Sequence, residues 1–118
     1  MVSSLAVAPS GNLVVTAHPD KQLRVWDTRK EGAALVTSKL VSHKKWVSAV
    51  AWNAESDHML VSSDLGGVVK VWDIRATIPL HSLPVHEGKA LCVDWCGSNS
   101  IASGASGASF CFILFFVD

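Results

Sequence analysis

Five histidines and three cysteines are the side chains of this chain best suited to nucleophilic or metal chemistry. Neither His43 nor His86 has a nucleophile or a metal-ligand partner at a usable spacing, so the sequence predicts no catalytic role for either. Cys92, Cys96 and Cys111 are odd in number and form no Cys-x-x-Cys pair, which argues against a disulfide framework and against a zinc site. We therefore expect neither an enzyme nor a bound cofactor or metal.

Other catalytic motifs are missing from the sequence as well. There is no glycine-rich phosphate loop before a helix, no paired carboxylates in a suitable context and no triad spacing, and Gly66-Gly67 is interpreted as a turn. Cys92 and Cys96 are four residues apart, and we expect them on one side of a strand as small buried residues. The remaining histidines are expected to be solvated or packed: His18, His58 and His81.

Composition and charge narrow the classes of partner. Ten Lys and Arg balance ten Asp and Glu, which argues against a dedicated nucleic-acid surface and against docking on anionic membranes. Hydrophobic residues make up 49% of the chain, which excludes a disordered tail. No signal peptide follows Met1, and the apolar block at residues 110–117 is far shorter than the ~20 residues of a membrane-spanning helix. We expect a soluble intracellular protein.

The elements that must position these side chains come from an internal repeat. Residues 23–29 (Leu-Arg-Val-Trp-Asp-Thr-Arg) return at residues 69–75 as Val-Lys-Val-Trp-Asp-Ile-Arg. A period of this size, marked by a Trp-Asp pair that closes an apolar run, resembles the repeat of WD-repeat β-propellers. Because a closed propeller has about 4–8 blades, the few repeats present here form only part of a ring.

The predicted fold class is all-β, a partial WD-repeat β-propeller of two four-stranded blades and an incomplete third. We place the blades at residues 1–41, 42–84 and 85–118. Alternation and turn residues predict the individual strands, at residues 2–8, 13–17, 22–26 and 34–41, then 46–52, 58–62, 68–72 and 78–83, and finally 90–95, near 101–103 and 110–117. In the strand at 46–52, simple alternation puts Val47 on one face with Ala49 and Ala51, opposite Val50 and Trp52.

The WD-repeat resemblance implies structural roles for several polar residues. In such blades a buried hydrogen-bond chain joins a His before the inner strand, a Ser or Thr, a turn Asp and the Trp of the Trp-Asp pair. The matching residues are Thr16, Asp20 and Trp26, then His43, Ser62 and Trp72, and then His86 and Ser103. Gly66 and Gly107 stand where the second and third Asp belong, and Asp64 is two positions early, which puts its reach in doubt.

Longer stretches have a more specific resemblance. Residues 42–50, 69–75 and 86–95 are similar to the last repeats of the WD-repeat ribosome-biogenesis family, and the similarity covers roughly residues 5–105. The resemblance implies a nuclear, nucleolar scaffold for rRNA maturation of the large subunit. It also implies protein partners of the block-of-proliferation and pescadillo types, indirect association with pre-ribosomes, and neither a membrane nor a small-molecule substrate. That family also carries a ubiquitin-like domain and further blades, so we expect only part of its propeller surface here.

The tail departs from this pattern. After Gly104 we expect a turn Asp and a strand that alternates polar and apolar residues, but residues 105–118 contain an uncharged block of high β-propensity. Two interpretations remain open, a diverged last strand and translated non-exonic sequence. The block has the composition of an aggregation-prone segment.

The loop that enters the strand at 46–52 offers a candidate partner-binding site. Lys44, Lys45 and Trp46 combine an aromatic side chain with two cations, as interaction hot spots do. The alternative is that Trp46 packs between blades. Lys89 occupies the position equivalent to Trp46, and Asp94 follows on the same strand, so both are weaker candidates.

The two Trp-Asp-x-Arg boxes suggest a different function. Asp27 with Arg29, and Asp73 with Arg75, repeat a box that in some propellers docks the adaptor of cullin ubiquitin ligases. The alternative is a local ion pair within each blade. Three hypotheses therefore stand: a ribosome-assembly scaffold, a substrate receptor of a cullin ligase, and a piece without independent activity whose uncovered apolar walls cause association.

Overall fold

The computed structural model describes residues 1–29, 36–76, 78–97, 99–106 and 110–114, with residues 36–37 and 110–114 described by their backbone alone. These residues form strands and turns without any helix. The strands are β1 (Ser4–Val7), β2 (Leu13–Ala17), β3 (Gln22–Asp27), β4 (Val36–Val41), β5 (Val47–Trp52), β6 (Met59–Asp64), β7 (Val68–Asp73), β8 (His81–Pro84), β9 (Ala90–Trp95), β10 (Ser100–Ala105) and β11 (Phe110–Leu114).

The strands form three antiparallel meanders. The first sheet has the order β1-β2-β3-β4, the second β5-β6-β7-β8 and the third β9-β10-β11. Strand β5 packs against β1 and β2 on one side and against β9 on the other, so the second sheet lies between its neighbours. This stacking of short meanders confirms the predicted all-β, partial propeller architecture. No helix in the described part of the chain could cross a membrane.

Two apolar clusters fill the spaces between the sheets. The cluster between the first and second sheets contains Val15, Leu23, Leu60 and Trp72, all fully buried. The cluster between the second and third sheets contains Val61, Val69 and Ile101 among others. Side chains that alternate along β6 and β7 thus serve opposite faces, because successive residues of a strand point to opposite sides of its sheet. Buried apolar area on both faces of the second sheet fixes its position.

The prediction of simple alternation along β5 is wrong at its first residue. Val47 joins the cluster of the first sheet together with Val50 and Trp52, whereas Ala51 joins the other cluster. The register shifts between Val47 and Ala49, where β5 pairs with β6. The extra residue of this β-bulge turns Val47 to the opposite face.

The prediction that Cys92 and Cys96 are buried is also wrong. Cys92 lies on β9 and Cys96 directly after it, and both thiols are exposed and free. Val93 faces the second sheet, so Cys92 points to the other face of β9, which no sheet of the described residues covers. The side chain of Cys111 and the predicted strand residues 34, 35 and 115–117 lie outside the described part.

Candidate partner-binding site

A buried chain of hydrogen bonds crosses the second sheet from Trp72 to Asp64. Trp72 Nε1 donates to Ser62 Oγ at 2.9 Å, Ser62 Oγ lies 2.6 Å from His43 Nε2, and His43 Nδ1 lies 2.7 Å from Asp64 Oδ2. An indole only donates and a carboxylate only accepts. The consistent assignment is therefore that Ser62 donates to Nε2 and that Nδ1–H of His43 donates to Asp64.

Asp64 ends this chain and also shapes the next turn. Its Oδ1 accepts hydrogen bonds from the amides of Gly66 at 2.8 Å and Val68 at 3.2 Å. Burial raises the pKa of the Asp64 carboxyl, but the hydrogen bonds from His43, Val68 and Gly66 outweigh burial, so the pKa lies below the ordinary value of 3.8. In the sequence, Asp64 stands two positions before the expected place of the Asp. In the structure it is the last residue of β6, and its carboxylate contacts His43.

Ser62, His43 and Asp64 are hydrogen-bonded in the same order as the Ser, His and Asp of a nucleophilic triad. The surroundings of Ser62 differ from those of a catalytic serine. Ser62 is fully buried and its oxygen already accepts the Trp72 indole. A catalytic serine must reach a substrate carbonyl. The chain of bonds is suited to rigidify the sheet, because a satisfied buried network specifies one arrangement.

The first sheet builds a related chain from a residue that the sequence analysis missed. Trp26 Nε1 donates to Thr16 Oγ1 at 2.8 Å, and Thr16 Oγ1 lies 2.7 Å from His18 Nε2. His18 Nδ1 lies 2.8 Å from the carbonyl oxygen of Met1. The signal was present in the sequence, because Thr16 and His18 are two residues apart and therefore project to the same face.

The prediction that Asp20 belongs to this chain is corrected by the structure. Asp20 is exposed, and its Oδ2 pairs with Arg24 Nη2 at 2.6 Å. The imidazole of His18 already contacts the Thr16 hydroxyl from inside the turn, so the carboxylate lies outside the chain.

The third sheet contains the corresponding His–Ser pair. His86 Nε2 lies 2.8 Å from Ser103 Oγ, and both residues are buried. Gly107 and Ile113 occupy the positions that correspond to the turn Asp and to the Trp of the first repeat. Gly107 and the side chain of Ile113 lie outside the described residues.

Both Trp-Asp-x-Arg boxes form ion pairs within the box. Arg29 Nη2 lies 2.9 Å from Asp27 Oδ2, and Arg75 Nη2 lies 2.5 Å from Asp73 Oδ2. In each box the Arg Nε also donates to Oδ1 of the same carboxylate, which makes the pair bidentate. The hydrogen bond from Arg75 lowers the pKa of the Asp73 carboxyl from 3.8 to about 2.

The candidate residues before β5 form an exposed edge. Lys44, Lys45 and Trp46 are all exposed, and the Trp46 side chain keeps 40% of its surface accessible. The carbonyl of Trp46 accepts the amide of Leu65 at 2.9 Å, which ties this loop to the β6–β7 turn. An aromatic side chain of this exposure, held next to two cations, is available to a partner.

Lys89 occupies the corresponding place before β9. It is exposed, and its amide donates to Ser106 Oγ at 3.1 Å. Asp94 is exposed too, but it lies five residues further along β9, roughly 16 Å away at the usual rise of a strand. The structure therefore does not bring Asp94 to Lys89. The exposed set at the entrances to β5 and β9 is termed here the entry edge: Lys44, Lys45, Trp46 and Lys89.

Two glycines allow the β6–β7 turn to contact both loops. A Cβ atom at Gly66 would lie 2.9 Å from Lys45 Cγ, so the lysine stem crosses the turn at this position. Gly67 has a φ of +85° and its carbonyl accepts the amide of His86 at 3.2 Å. The turn thus bridges the loops of the second and third sheets.

A cavity of about 450 Å³ opens beside the entry edge. At its side, Lys70 Nζ donates to Ser42 Oγ at 2.8 Å and to Ser82 Oγ at 3.0 Å. The cavity is lined by Ser42, Lys44, Lys45, Asp64, Gly66, Val68, Lys70, Ser82 and Pro84. Lys70 was not among the residues predicted from the sequence, although its spacing from Trp72 places both side chains on the same face of β7.

Metal chemistry has no support in the described residues. No group of three or more His, Cys, Asp or Glu side chains within the described ranges could hold a metal ion. The geometry of the site is that of a fixed surface with cations, one exposed indole and an adjacent cavity.

Known proteins share both the repeat and a longer stretch of sequence. The family described as WD40, "WD domain, G-beta repeat", matches residues 1–27 and 35–73. The protein named "Ribosome biogenesis protein WDR12 homolog" of Oryza sativa subsp. japonica is 40% identical over 102 residues, which is 86% of this chain and 23% of that protein. The protein of the same name from Chlamydomonas reinhardtii is 42% identical over 98 residues, with 81% and 22% covered. The chain thus spans about a quarter of the length of these relatives.

Proposed function

Because this chain belongs to the WD40-repeat family, we propose that it acts without catalysis, as a protein-binding scaffold in assembly of the large ribosomal subunit. The observation that carries this proposal is the similarity to proteins named for ribosome biogenesis over most of the chain. We place its work in the nucleolus during rRNA maturation. Its proposed partners are assembly factors of the block-of-proliferation and pescadillo types, with contact to the pre-ribosome through them.

The entry edge is the surface on which we propose that a partner docks. Trp46 supplies exposed apolar area, while Lys44 and Lys45 supply charge that selects an acidic or phosphorylated surface. The buried chain through His43 and Ser62 fixes the loop directly before these residues. A pre-organised surface loses little conformational entropy on binding.

The test is partner binding by matched variants of the chain. We expect Lys44→Ala with Trp46→Ala to weaken binding to the block-of-proliferation-type partner by about 2 kcal/mol or more, because a central aromatic and a cation are lost together. Lys39→Ala removes an exposed lysine of β4 and serves as the control. Unchanged affinity of the double variant, measured by calorimetry, would place the interface elsewhere.

The hypothesis of a cullin-ligase substrate receptor draws less support from the geometry. Both arginines of the boxes already bind the Asp of their own box through two hydrogen bonds, so an adaptor would have to compete for them. Adaptor binding that is lost on Arg29→Ala with Arg75→Ala would favour this hypothesis over the scaffold. A chain that binds neither partner would favour the third hypothesis, a piece without independent activity.

A further inference from the structure

Lys70 is a buried lysine. Its residue is only 9% exposed, although lysine is among the residues least often buried. The Nζ atom donates to two neutral hydroxyls, those of Ser42 and Ser82, which come from separate parts of the chain. A buried ammonium usually forms a hydrogen bond with a carboxylate, whereas both hydrogen-bond partners of Lys70 are neutral.

The repeat explains how this arrangement arises. Arg24 is the residue of the first repeat that corresponds to Lys70, and Asp20 neutralises it at 2.6 Å. Gly66 stands at the position that corresponds to Asp20. The second repeat therefore keeps the cation but lacks the carboxylate, and Gly66 lies in the wall of the cavity instead.

The remaining charges around the cavity are also cationic. Lys44 and Lys45 line it beside Lys70, and no carboxylate of the described residues lies within 4.0 Å of any of these three ammonium groups. Asp64 also lines the cavity, but His43 and two backbone amides occupy its oxygens. Burial lowers the pKa of Lys70, Asp64 raises it and Lys44 lowers it again, with a net decrease from 10.5.

We propose that this cavity binds the phosphomonoester group of a phosphorylated serine or threonine on a partner protein, with Lys70 at its inner side and Lys44 and Lys45 at its rim. The hydroxyl oxygens of Ser42 and Ser82 accept from Lys70, and each hydroxyl retains its own O–H to donate to the phosphate. A phosphomonoester carries a charge of about −1.5 to −2 and three acceptor oxygens, which suits several converging donors. The inference deepens the proposed scaffold function and rests on it, because the phosphate belongs to the docked partner.

A nucleic-acid phosphate is the less suitable ligand. The cations cluster at one cavity, and the chain as a whole has no excess positive charge with which to follow a polyanion. A phosphodiester is also flanked by two sugars, whereas a side-chain phosphate is terminal and can enter a recess. The cavity is formed by the loop that joins β4 to β5 and by strands β6, β7 and β8 of the second sheet.

The test is a titration of the full chain with N-acetyl-O-phosphoserine amide, followed by ¹H–¹⁵N NMR. We expect saturable shifts at the amides of Lys45, Gly66 and Lys70, and none with unphosphorylated N-acetylserine amide. Lys70→Met keeps the stem but loses the charge, and we expect about tenfold weaker binding or more. Lys39→Met is the matched control and is expected to bind as the unchanged chain does.

A second variant retains all three lysine residues. A Cβ atom at Gly66 would lie 2.9 Å from Lys45 Cγ, so Gly66→Ala is the matched control for displacement of the Lys45 stem. Gly66→Asp restores the carboxylate of the first repeat, and we expect it to neutralise Lys70 as Asp20 neutralises Arg24, with loss of phosphoserine binding. Equal binding by Lys70→Met, Gly66→Asp and the unchanged chain would overturn the proposal. Tighter, Lys70-dependent binding of a single-stranded oligouridylate would overturn it in favour of RNA. If the unchanged chain binds the partner but not phosphoserine amide, this inference alone fails. If it binds phosphoserine amide but not the partner, the scaffold proposal fails.

Discussion

Gly67 lies so close to His86 that a Cβ atom at Gly67 would stand 2.1 Å from the carbonyl oxygen of His86. The contact joins the β6–β7 turn of the second sheet to the loop that enters the third. It therefore sets how the two sheets meet at the entry edge. Gly67 also has a positive φ of 85°, a conformation that side chains with a Cβ rarely adopt.

Gly67→Ala is expected to destabilise the chain by about 3 kcal/mol or more, since the strained φ and the overlap with backbone add together. Gly11→Ala provides the matched control, because Gly11 has a φ of 78° but no atom within 4 Å of the added Cβ. We expect a cost of about 1 kcal/mol there, from φ alone. Urea unfolding followed by tryptophan fluorescence measures both, and equal losses would show that the contact with His86 is not limiting.

Ser62→Ala is expected to cost about 2–4 kcal/mol, because it leaves the indole N–H of Trp72 and Nε2 of His43 without a buried partner at the same time. Ser10→Ala is the control, since its hydroxyl accepts a single amide at an exposed turn. A change within about 0.5 kcal/mol is expected for this control. Thermal unfolding distinguishes the two, and a loss for Ser62→Ala no larger than that of the control would contradict the role of the buried chain.

The low pKa of Asp73 predicts that the chain loses stability at acidic pH. Its folded pKa of about 2 is below the ordinary 3.8, so its contribution to stability is complete above pH 4 and is lost as the pH falls from 4 towards 2. Arg75→Gln is expected to raise the pKa of Asp73 towards the ordinary value and to weaken this dependence, while the amide of residue 75 still donates to Asp73 Oδ1. Arg24→Gln, in the ion pair of the first sheet, should leave Asp73 unchanged. A ¹³C titration of the side-chain carboxyl measures the shift, and an unaltered pKa in Arg75→Gln would contradict the assignment.

The sequence predicted the sheets well because each strand signal is local. The repeated Trp-Asp pair, the alternation along β2 and β7, and the turns at Gly11 and Gly67 all act within a few residues. The face of Val47 could not be predicted in this way. It depends on a bulge at the β5–β6 pairing, where the contacts of both neighbouring sheets decide which residue is extra.

The candidate site was predictable only in its exposed part. Lys44, Lys45 and Trp46 follow from one short loop, whereas the cavity beside them joins Ser42, Lys70 and Ser82 from three separate segments. No local sequence pattern indicates that these three segments lie together. Comparison of the two repeats could have raised the question, because Lys70 keeps the charge of Arg24 while Gly66 replaces Asp20.

The outer face of β1 predicts self-association of the chain. Leu5 is 60% and Val7 is 53% exposed on this strand, and no sheet of the described residues covers them. Apolar side chains that lie together on an uncovered sheet face favour association. We expect light scattering to give a mass that rises with concentration, and Leu5→Glu with Val7→Glu to lower it. A monomer of 12.6 kDa at all concentrations for the unchanged chain would contradict this prediction.

The buried charge of Lys70 is expected to lower the stability of the fold while it strengthens phosphate binding. Its buried ammonium contacts only hydroxyls, so its desolvation is poorly compensated, and Lys70→Met is expected to stabilise the chain by about 1 kcal/mol. A ligand that binds only the folded state raises the Tm. We therefore expect phosphoserine amide to raise the Tm of the unchanged chain, and Lys70→Met to need about tenfold more ligand or more for the same rise, which a thermal melt at increasing ligand concentration measures. A lower Tm for Lys70→Met without ligand would mean that the lysine serves the fold, and an equal ligand response would mean that it does not contact the phosphate.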